Sequence, residues 1–134
     1  MGLNPEITIE VNPEFFTFSH GMQTIKVDTL VTVLKNEKQE IIAIGENRTG
    51  SGIITIALFR ANQNLPQGID KLDLLTAFFD YALGKLFENK RVPVLRPLMI
   101  FHGVQSLEQI LCGYHLSLLK SAALNGGARG IRFD

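Results

Sequence analysis

Apolar and polar residues alternate at residues 7–11 and again at residues 15–18, which is the period of half-buried β-strands. These are the first two of five runs rich in β-branched or aromatic residues, at residues 7–11, 15–18, 24–34, 40–44 and 53–59. The third run is long enough to bend or break near Asp28. Because the connections are short and polar, the pattern predicts an antiparallel meander of three or four strands, with the last run a buried strand or an edge segment.

The hydrophobic period changes to that of a helix after residue 70. Asp70 is a candidate N-cap, and it precedes a stripe at spacings of three and four: Leu72, Leu75, Phe79, Leu83 and Leu86. The continuous apolar run at residues 98–101 is typical of a central strand. The pattern therefore predicts one helix over residues 70–86, followed by a buried strand.

A second helix is predicted to begin at Ser106. Ser106 and Gln109 form a capping-box pattern, in which the hydroxyl accepts from a free backbone N–H. Its apolar face is predicted to comprise Leu107, Ile110, Leu111, Tyr114, Leu118, Ala122 and Ala123. Residues 125–127 contain two glycines that can end the helix, and residues 130–133 leave room for a short strand parallel to the previous one.

The predicted fold class is α/β (α+β) in one domain, residues 1–134: a mixed sheet with an antiparallel N-terminal meander followed by α-β-α-β.

At 46% hydrophobic and 19% charged residues, the chain has the composition of a globular protein. Its thirteen basic and thirteen acidic residues cancel, which gives no electrostatic reason to expect nucleic acid as a partner. Cys112 is the single cysteine, so no intrachain disulfide can form. With no secretory signal pattern and no apolar run near the ~20 residues of a membrane span, a cytoplasmic location is expected.

The turn between the first two strands argues against phosphate binding. In a phosphate-binding β-hairpin the turn is rich in glycine, so that backbone N–H groups can approach the anion. Here the turn is Asn12-Pro13-Glu14. Proline has no N–H to donate, and the glutamate places a negative charge where a phosphate would lie.

Four residues near predicted strand ends are candidate ligand-binding residues. Glu10 lies near the end of the first strand, His20 lies in the following hairpin, and His102-Gly103 follow the predicted central strand, where α/β sheets commonly bind ligands. For each of them a structural role is the alternative, and we favour it for Glu10. No spacing of His, Cys, Asp and Glu in the sequence predicts a metal site. We favour a buried thiol over a nucleophile for Cys112.

Val94 and Leu95 lie in an apolar loop flanked by basic residues. One interpretation is a peripheral contact with a membrane or a partner, and the other is a packed connector that enters the buried strand. One or two inserted side chains contribute only a few kcal/mol, so attachment to a membrane would need several copies. We favour the packed connector.

Several segments, in the same order along the chain, resemble bacterial actins that determine rod shape (MreB-like proteins). Residues 18–25 and 40–46 resemble the opening hairpins of that family, including its Val-Leu-Ala-Val-Gly-Glu strand. Residues 51–56 are similar to its Gly-Asn-Ile-Val-Ala segment, and residues 70–86 correspond to its first long helix. Residues 96–100 are similar to its Arg-Pro-Arg-Val-Val-Ile strand, and residues 122–129 to its Ala-Gly-Ala-Arg helix end. The resemblance implies the first subdomain of the actin fold, subdomain IA, which is ribonuclease H-like.

The phosphate loop is the main departure from that family. The family reads Asp-Leu-Gly-Thr where this chain has Glu10, Val11, Asn12 and Pro13. Actin-type ATPases hold nucleotide between two lobes, and we expect this chain to supply at most one of them. Phosphoryl transfer needs donors and a metal on both sides of the phosphates, so we expect no ATPase activity, no catalytic residue and no cofactor.

The leading hypothesis is a non-catalytic domain that acts by protein–protein contact. Its partner would be a second copy, as in a homodimer, or another protein of a filament or envelope-associated assembly. The high apolar fraction favours pairing of a subdomain that stands alone. The alternative is a small-molecule-binding or catalytic domain in which Glu10, His20 and His102 converge on a pocket.

Overall fold

The computed structural model describes residues 5–35, 40–59, 70–88, 96–111 and 114–134. The strands in these ranges are β1 (Glu6–Val11), β2 (Phe15–His20), β3 (Gln23–Asp28), β4 (Leu30–Leu34), β5 (Ile41–Ile44), β6 (Ile53–Ala57), β7 (Leu98–His102) and β8 (Gly130–Phe133). The helices are α1 (Lys71–Leu86), α2 (His115–Asn125) and a short 3-10 helix at Val104–Leu107. The predicted mixed α/β fold class is confirmed.

The described strands form two sheets. The five-stranded sheet has the order β3-β2-β1-β7-β8, and the three-stranded sheet has the order β5-β4-β6. In the larger sheet β1, β2 and β3 form the predicted antiparallel meander, whereas β7 is parallel to both β1 and β8. The run at residues 24–34 breaks at Thr29, next to the predicted position, but its two halves enter different sheets. The sequence analysis did not predict a separate small sheet.

One face of the five-stranded sheet carries the core. Because side chains alternate along a strand, Ile7, Ile9 and Val11 of β1 share this face and are buried. The described helices pack here, where phenylalanines of β2 and α1 meet: the Phe16 and Phe78 rings lie 5.4 Å apart, edge to face. Phe59, just after β6, stacks on Phe16 at 5.4 Å, so residues after the small sheet join the same core. The opposite face carries hydroxyl-bearing residues of β1, β2 and β3 at Thr8, Thr17, Ser19 and Thr24, and apolar residues of β7 at Leu98 and Ile100.

The first helix begins as predicted. The Asp70 carboxylate accepts the backbone N–H of Leu72 at 2.8 Å, which caps α1. The buried positions of α1 include Leu75, Phe79 and Leu86 of the predicted stripe.

The predicted start of the second helix is wrong. Ser106 lies within the 3-10 helix and donates its hydroxyl to the carbonyl of Gly103 at 2.8 Å, so the hydroxyl acts as a donor here and not as a cap acceptor. The α-helix begins at His115, after Tyr114, which makes no side-chain cap bond. Tyr114 is 53% exposed, contrary to its predicted place on the apolar face, whereas Leu111 is buried as predicted.

Neither α1 nor α2 combines the length and the apolar character needed to cross a bilayer.

Candidate functional site

The strand ends beside the Asn12–Glu14 turn form the candidate site. Because β1 and β7 are parallel, their carboxyl ends lie side by side, and both the turn and the 3-10 helix follow directly from these strand ends. We call this end of the sheet the turn end. The opposite end of the strands, where the tip of the β2–β3 hairpin lies at residues 20–23, is called the hairpin end.

Glu10 and His102 are adjacent at the turn end. They are paired residues on β1 and β7, so their side chains project from the same face of the sheet, opposite the core. Glu10 is exposed and His102 is half-buried. Gly103 follows with φ +81°, and a Cβ there would lie 3.0 Å from the carbonyl oxygen of Val11. Three of the four candidate residues therefore lie together at the turn end.

His20 lies at the hairpin end. Its Nδ1 is 3.2 Å from the carbonyl oxygen of Glu6, at the beginning of β1, and its ring meets Phe87 edge to face at 5.0 Å. His20 is therefore separated from Glu10 and His102 by the length of β1. The convergence of Glu10, His20 and His102 on one pocket, as the small-molecule alternative requires, is not present in this fold.

The turn itself offers few donors to an anion. Asn12 Oδ1 accepts the backbone N–H of Glu14 at 2.9 Å, so that donor is already used, and Pro13 has none. The Glu14 side chain is exposed at the same place. A phosphate at this turn would meet a carboxylate and no free N–H from Pro13 or Glu14.

Thr29 connects the turn to the point where the chain passes from one sheet to the other. Its hydroxyl donates to the carbonyl of Pro13 at 2.6 Å, and its N–H donates to the carbonyl of Glu14 at 3.0 Å. Its own carbonyl accepts the N–H of Leu58 at 2.9 Å. Thr29 is only 2% exposed and is the single residue between β3 and β4. Sequence reasoning missed this residue; the break near Asp28 was the signal that could have identified it.

A cleft of about 650 Å³ lies beside the turn, where the two sheets meet. Its apolar lining includes Phe15, Leu30, Ala57 and Phe59. Its charged lining consists of Glu14, Asp28 and Lys26, and the Lys26 ammonium lies 4.2 Å from the centroid of the Phe15 ring. The lining of the cleft is therefore partly apolar, and its charged side chains are acidic in excess.

Two cations at or near this sheet have perturbed pKa values. A side-chain hydrogen bond and the charge of Asp134 raise the pKa of the Arg132 guanidinium, which contacts that carboxylate at 3.0 Å. Burial lowers the pKa of Lys71 at the start of α1. Neither residue touches the Glu10–His102 pair in the described hydrogen bonds, so neither shift identifies an acid or base.

Some sequence-based hypotheses fall outside the structure. Val94, Leu95 and Cys112 are not among the described residues, so the loop and thiol hypotheses stay predictions. Among the described residues, no group of three or more His, Cys, Asp and Glu side chains could hold a metal ion.

Comparisons with known proteins identify the fold. No protein-family model matches the chain, and no curated protein matches it in sequence. The structure is similar to that of MreB 5 of Spiroplasma citri bound to AMPPNP, with a TM-score of 0.57 and 16% sequence identity. The match covers 98% of this chain and 38% of the MreB 5 chain. The chain therefore has an actin-like fold and spans less than half the length of that protein.

Proposed function

We propose that this chain acts by protein–protein contact and not by nucleotide hydrolysis. In this proposal it is a cytoplasmic domain of a filament or an envelope-associated assembly, and its partner is a second copy or another protein of that assembly. The actin-like fold supports a filament-related domain only by analogy, since one fold hosts many functions.

The observation that carries the non-catalytic part is the hydrogen bonding of the Asn12–Glu14 turn. The structure of the similar MreB 5 protein was solved with AMPPNP, which makes nucleotide the first ligand to consider for this chain. Phosphate binding depends on backbone N–H groups that point at the anion. At this turn Pro13 has no N–H, the N–H of Glu14 is bonded to Asn12, and the Glu14 carboxylate repels an anion.

The separation of the candidate residues supports a contact function over a small-molecule one. Glu10 and His102 lie on the sheet face opposite the core, and His20 lies at the far end of β1. The 650 Å³ cleft between the sheets is lined by Glu14 and Asp28 with one lysine, Lys26. This charge balance disfavours phosphate-bearing ligands.

Calorimetry with Mg-ATP and Mg-ADP tests the proposal directly. We expect no measurable heat of binding and no phosphate release above the buffer rate. A dissociation constant in the micromolar range, or steady hydrolysis, would overturn it. The variant Asn12→Gly is the matched control, because it frees the Glu14 N–H: if wild type binds nucleotide and this variant binds more tightly, the turn is a phosphate loop after all.

A further inference from the structure

The outer edge of β3 has no strand paired to it among the described residues. β3 is an end strand of the five-stranded sheet, and its described partner is β2. The tight loop between the two strands makes His20 and Gln23 a hydrogen-bonded pair, and such pairs alternate along an antiparallel ladder. The backbone N–H and C=O groups of Thr24, Lys26 and Asp28 therefore point away from β2, towards the open edge.

A groove of about 290 Å³ runs along this edge. One wall consists of residues 25–27 of β3, and the other consists of residues 44–46 at the end of β5. Tyr81 and Lys85, one turn apart on α1, form the floor. Three consecutive residues line each wall, although side chains alternate along a strand, so backbone groups face the groove as well as side chains.

The groove is closed where the chain passes from β3 towards the small sheet. A Cβ at Gly45 would lie 3.0 Å from Cγ1 of Val27 and 3.8 Å from the backbone nitrogen and oxygen of Asp28. An added chain therefore has room beside Thr24 and Lys26, which are both exposed, but not beside Asp28. Since each of these two residues offers one N–H donor and one C=O acceptor, the edge suits a short extended segment.

The charged groups of the groove favour an acidic segment. Its lining contains two ammonium groups, of Lys26 and Lys85, and one carboxylate, of Glu46. The Glu46 carboxylate accepts from the Arg48 guanidinium at 2.9 Å, so it is already paired. Lys85 contacts Glu88 at 3.8 Å, but both side chains are more than half exposed, and a surface pair of this kind contributes little.

We propose that β3 receives an extended acidic segment of another protein as an additional strand. In this mode of recognition, backbone hydrogen bonds supply affinity and pockets for alternate side chains supply specificity. Apolar side chains of the segment enter the groove over Ile25 and Tyr81, and its acidic side chains lie beside Lys26 on the face opposite the core. Lysine on an edge strand opposes pairing with a like copy, which favours another protein as the partner. This inference rests on the proposed contact function and names its surface and its partner class.

Fluorescence anisotropy of the labelled peptide acetyl-Glu-Val-Glu-Val-Glu-Val-amide, titrated with the full chain, tests this proposal. We expect a dissociation constant between about 10 µM and about 1 mM, the range of small interfaces. The same peptide with lysine in place of glutamate should bind about tenfold more weakly or worse. Raising NaCl from about 50 mM to about 500 mM should weaken binding of the acidic peptide, because salt screens exposed charges.

Thr24→Pro tests the backbone hydrogen bonds. Because the N–H of Thr24 points away from β2, proline removes a donor from the open edge without removing a ladder bond. We expect peptide binding to weaken about threefold to tenfold. Thr24→Val is the matched control: both variants lose the hydroxyl that contacts Ser19, but valine keeps the N–H and should bind as wild type does. Circular dichroism should show both variants folded.

A change in the peptide tests the same bonds without altering the protein. Successive backbone N–H groups of a strand point to opposite sides, so only one alternate set faces β3. We therefore expect N-methylation of every valine and N-methylation of every glutamate to differ, with one peptide losing binding and the other retaining it. Equal binding by the two methylated peptides would contradict an added strand.

Lys26→Glu tests the charge of the groove. It should weaken binding of the acidic peptide about tenfold or more and strengthen binding of the lysine peptide, because the charge beside the segment is reversed. Lys120→Glu is the matched control and should bind as wild type does. Lys120 is exposed on α2, which packs against β8 at the other edge of the sheet.

Three further results would overturn the inference: no binding of the acidic peptide up to about 1 mM, a folded Thr24→Pro variant that binds as Thr24→Val does, or equal binding by the Lys26→Glu and Lys120→Glu variants. Self-association of the chain that the peptide reverses would also overturn it, because the edge would then pair with a second copy. Each of these results leaves the proposed contact function standing, whereas nucleotide binding would defeat that function.

Discussion

The hydroxyl of Thr29 donates to the carbonyl oxygen of Pro13 over 2.6 Å, and this bond fixes the turn at the end of β1 to the crossing between the two sheets. The bond is short and its donor is buried, so the carbonyl gains a partner that water would otherwise provide. The backbone of Thr29 adds two bonds, one to the carbonyl of Glu14 and one from the N–H of Leu58, so a single residue joins the turn to the small sheet.

Thr29→Val should destabilise the protein by about 1–3 kcal/mol, because it removes a buried hydrogen bond at nearly constant volume. Thr29→Ser keeps the hydroxyl and should retain more of the stability. Urea denaturation followed by circular dichroism measures both. Equal midpoints for the valine variant and wild type would show that the hydroxyl contributes nothing.

Gly103→Ala should destabilise the protein more than Gly52→Ala does. Both glycines have positive φ, +81° and +77°, which costs alanine roughly 1–2 kcal/mol. Only at Gly103 would the new Cβ also press on a backbone atom, the Val11 carbonyl oxygen at 3.0 Å, whereas nothing lies within 4 Å at Gly52. Thermal melts of the two variants compare them directly, and a larger loss at Gly52 would contradict the packing of the turn end.

His115→Leu should stabilise the protein by about 1 kcal/mol. The Nδ1 atom of His115 is buried and has no hydrogen-bond partner among the described residues, and an unmatched buried polar atom carries a cost that an apolar side chain avoids. His102→Leu, at a half-buried strand end, is the comparison and should change stability by less than about 0.5 kcal/mol. A destabilised His115→Leu variant would indicate that the imidazole has a partner in solution.

Ser106→Ala should cost less than Leu111→Ala. The serine hydroxyl donates to Gly103 within the 3-10 helix, and losing such a bond typically costs about 1 kcal/mol. Leu111 is 1% exposed, and truncation of a buried leucine costs roughly 2–5 kcal/mol. Denaturant midpoints that reverse this order would show that Leu111 does not belong to the core.

Local patterns predicted the elements whose signals are local. The Asp70 cap and the stripe of α1 depend on residues within four positions of each other, and both were predicted. The break near Asp28 was predicted for the same reason. Ser106 and Gln109 have the spacing of a capping box, but the Ser106 hydroxyl donates to the carbonyl of Gly103, three residues earlier. The sequence pattern alone does not distinguish these two uses of the hydroxyl.

The site depended on distant pairings that a pattern does not encode. The juxtaposition of Glu10 and His102 follows from a parallel pairing of strands about ninety residues apart, whereas the rule that ligands bind at strand ends identified His102 and Gly103 without pairing them with Glu10. The position of His20 depended on the antiparallel pairing of β2 with β1, which places the carboxyl end of β2, and with it His20, at the hairpin end. The role of Thr29 required knowledge that residues 24–34 divide between two sheets.

The central place of β1 has a consequence for how the chain folds. Its neighbour β7 is encoded some ninety residues later, so half of the hydrogen bonds of β1 wait until most of the chain has been made. Closing such a long loop is entropically costly and slows folding. During synthesis the β1–β3 hairpins would emerge with their phenylalanine-rich face uncovered; Phe59 would cover part of it first, and α1 would be the first described helix to pack there. The nascent sheet is therefore exposed to aggregation until α1 has been made.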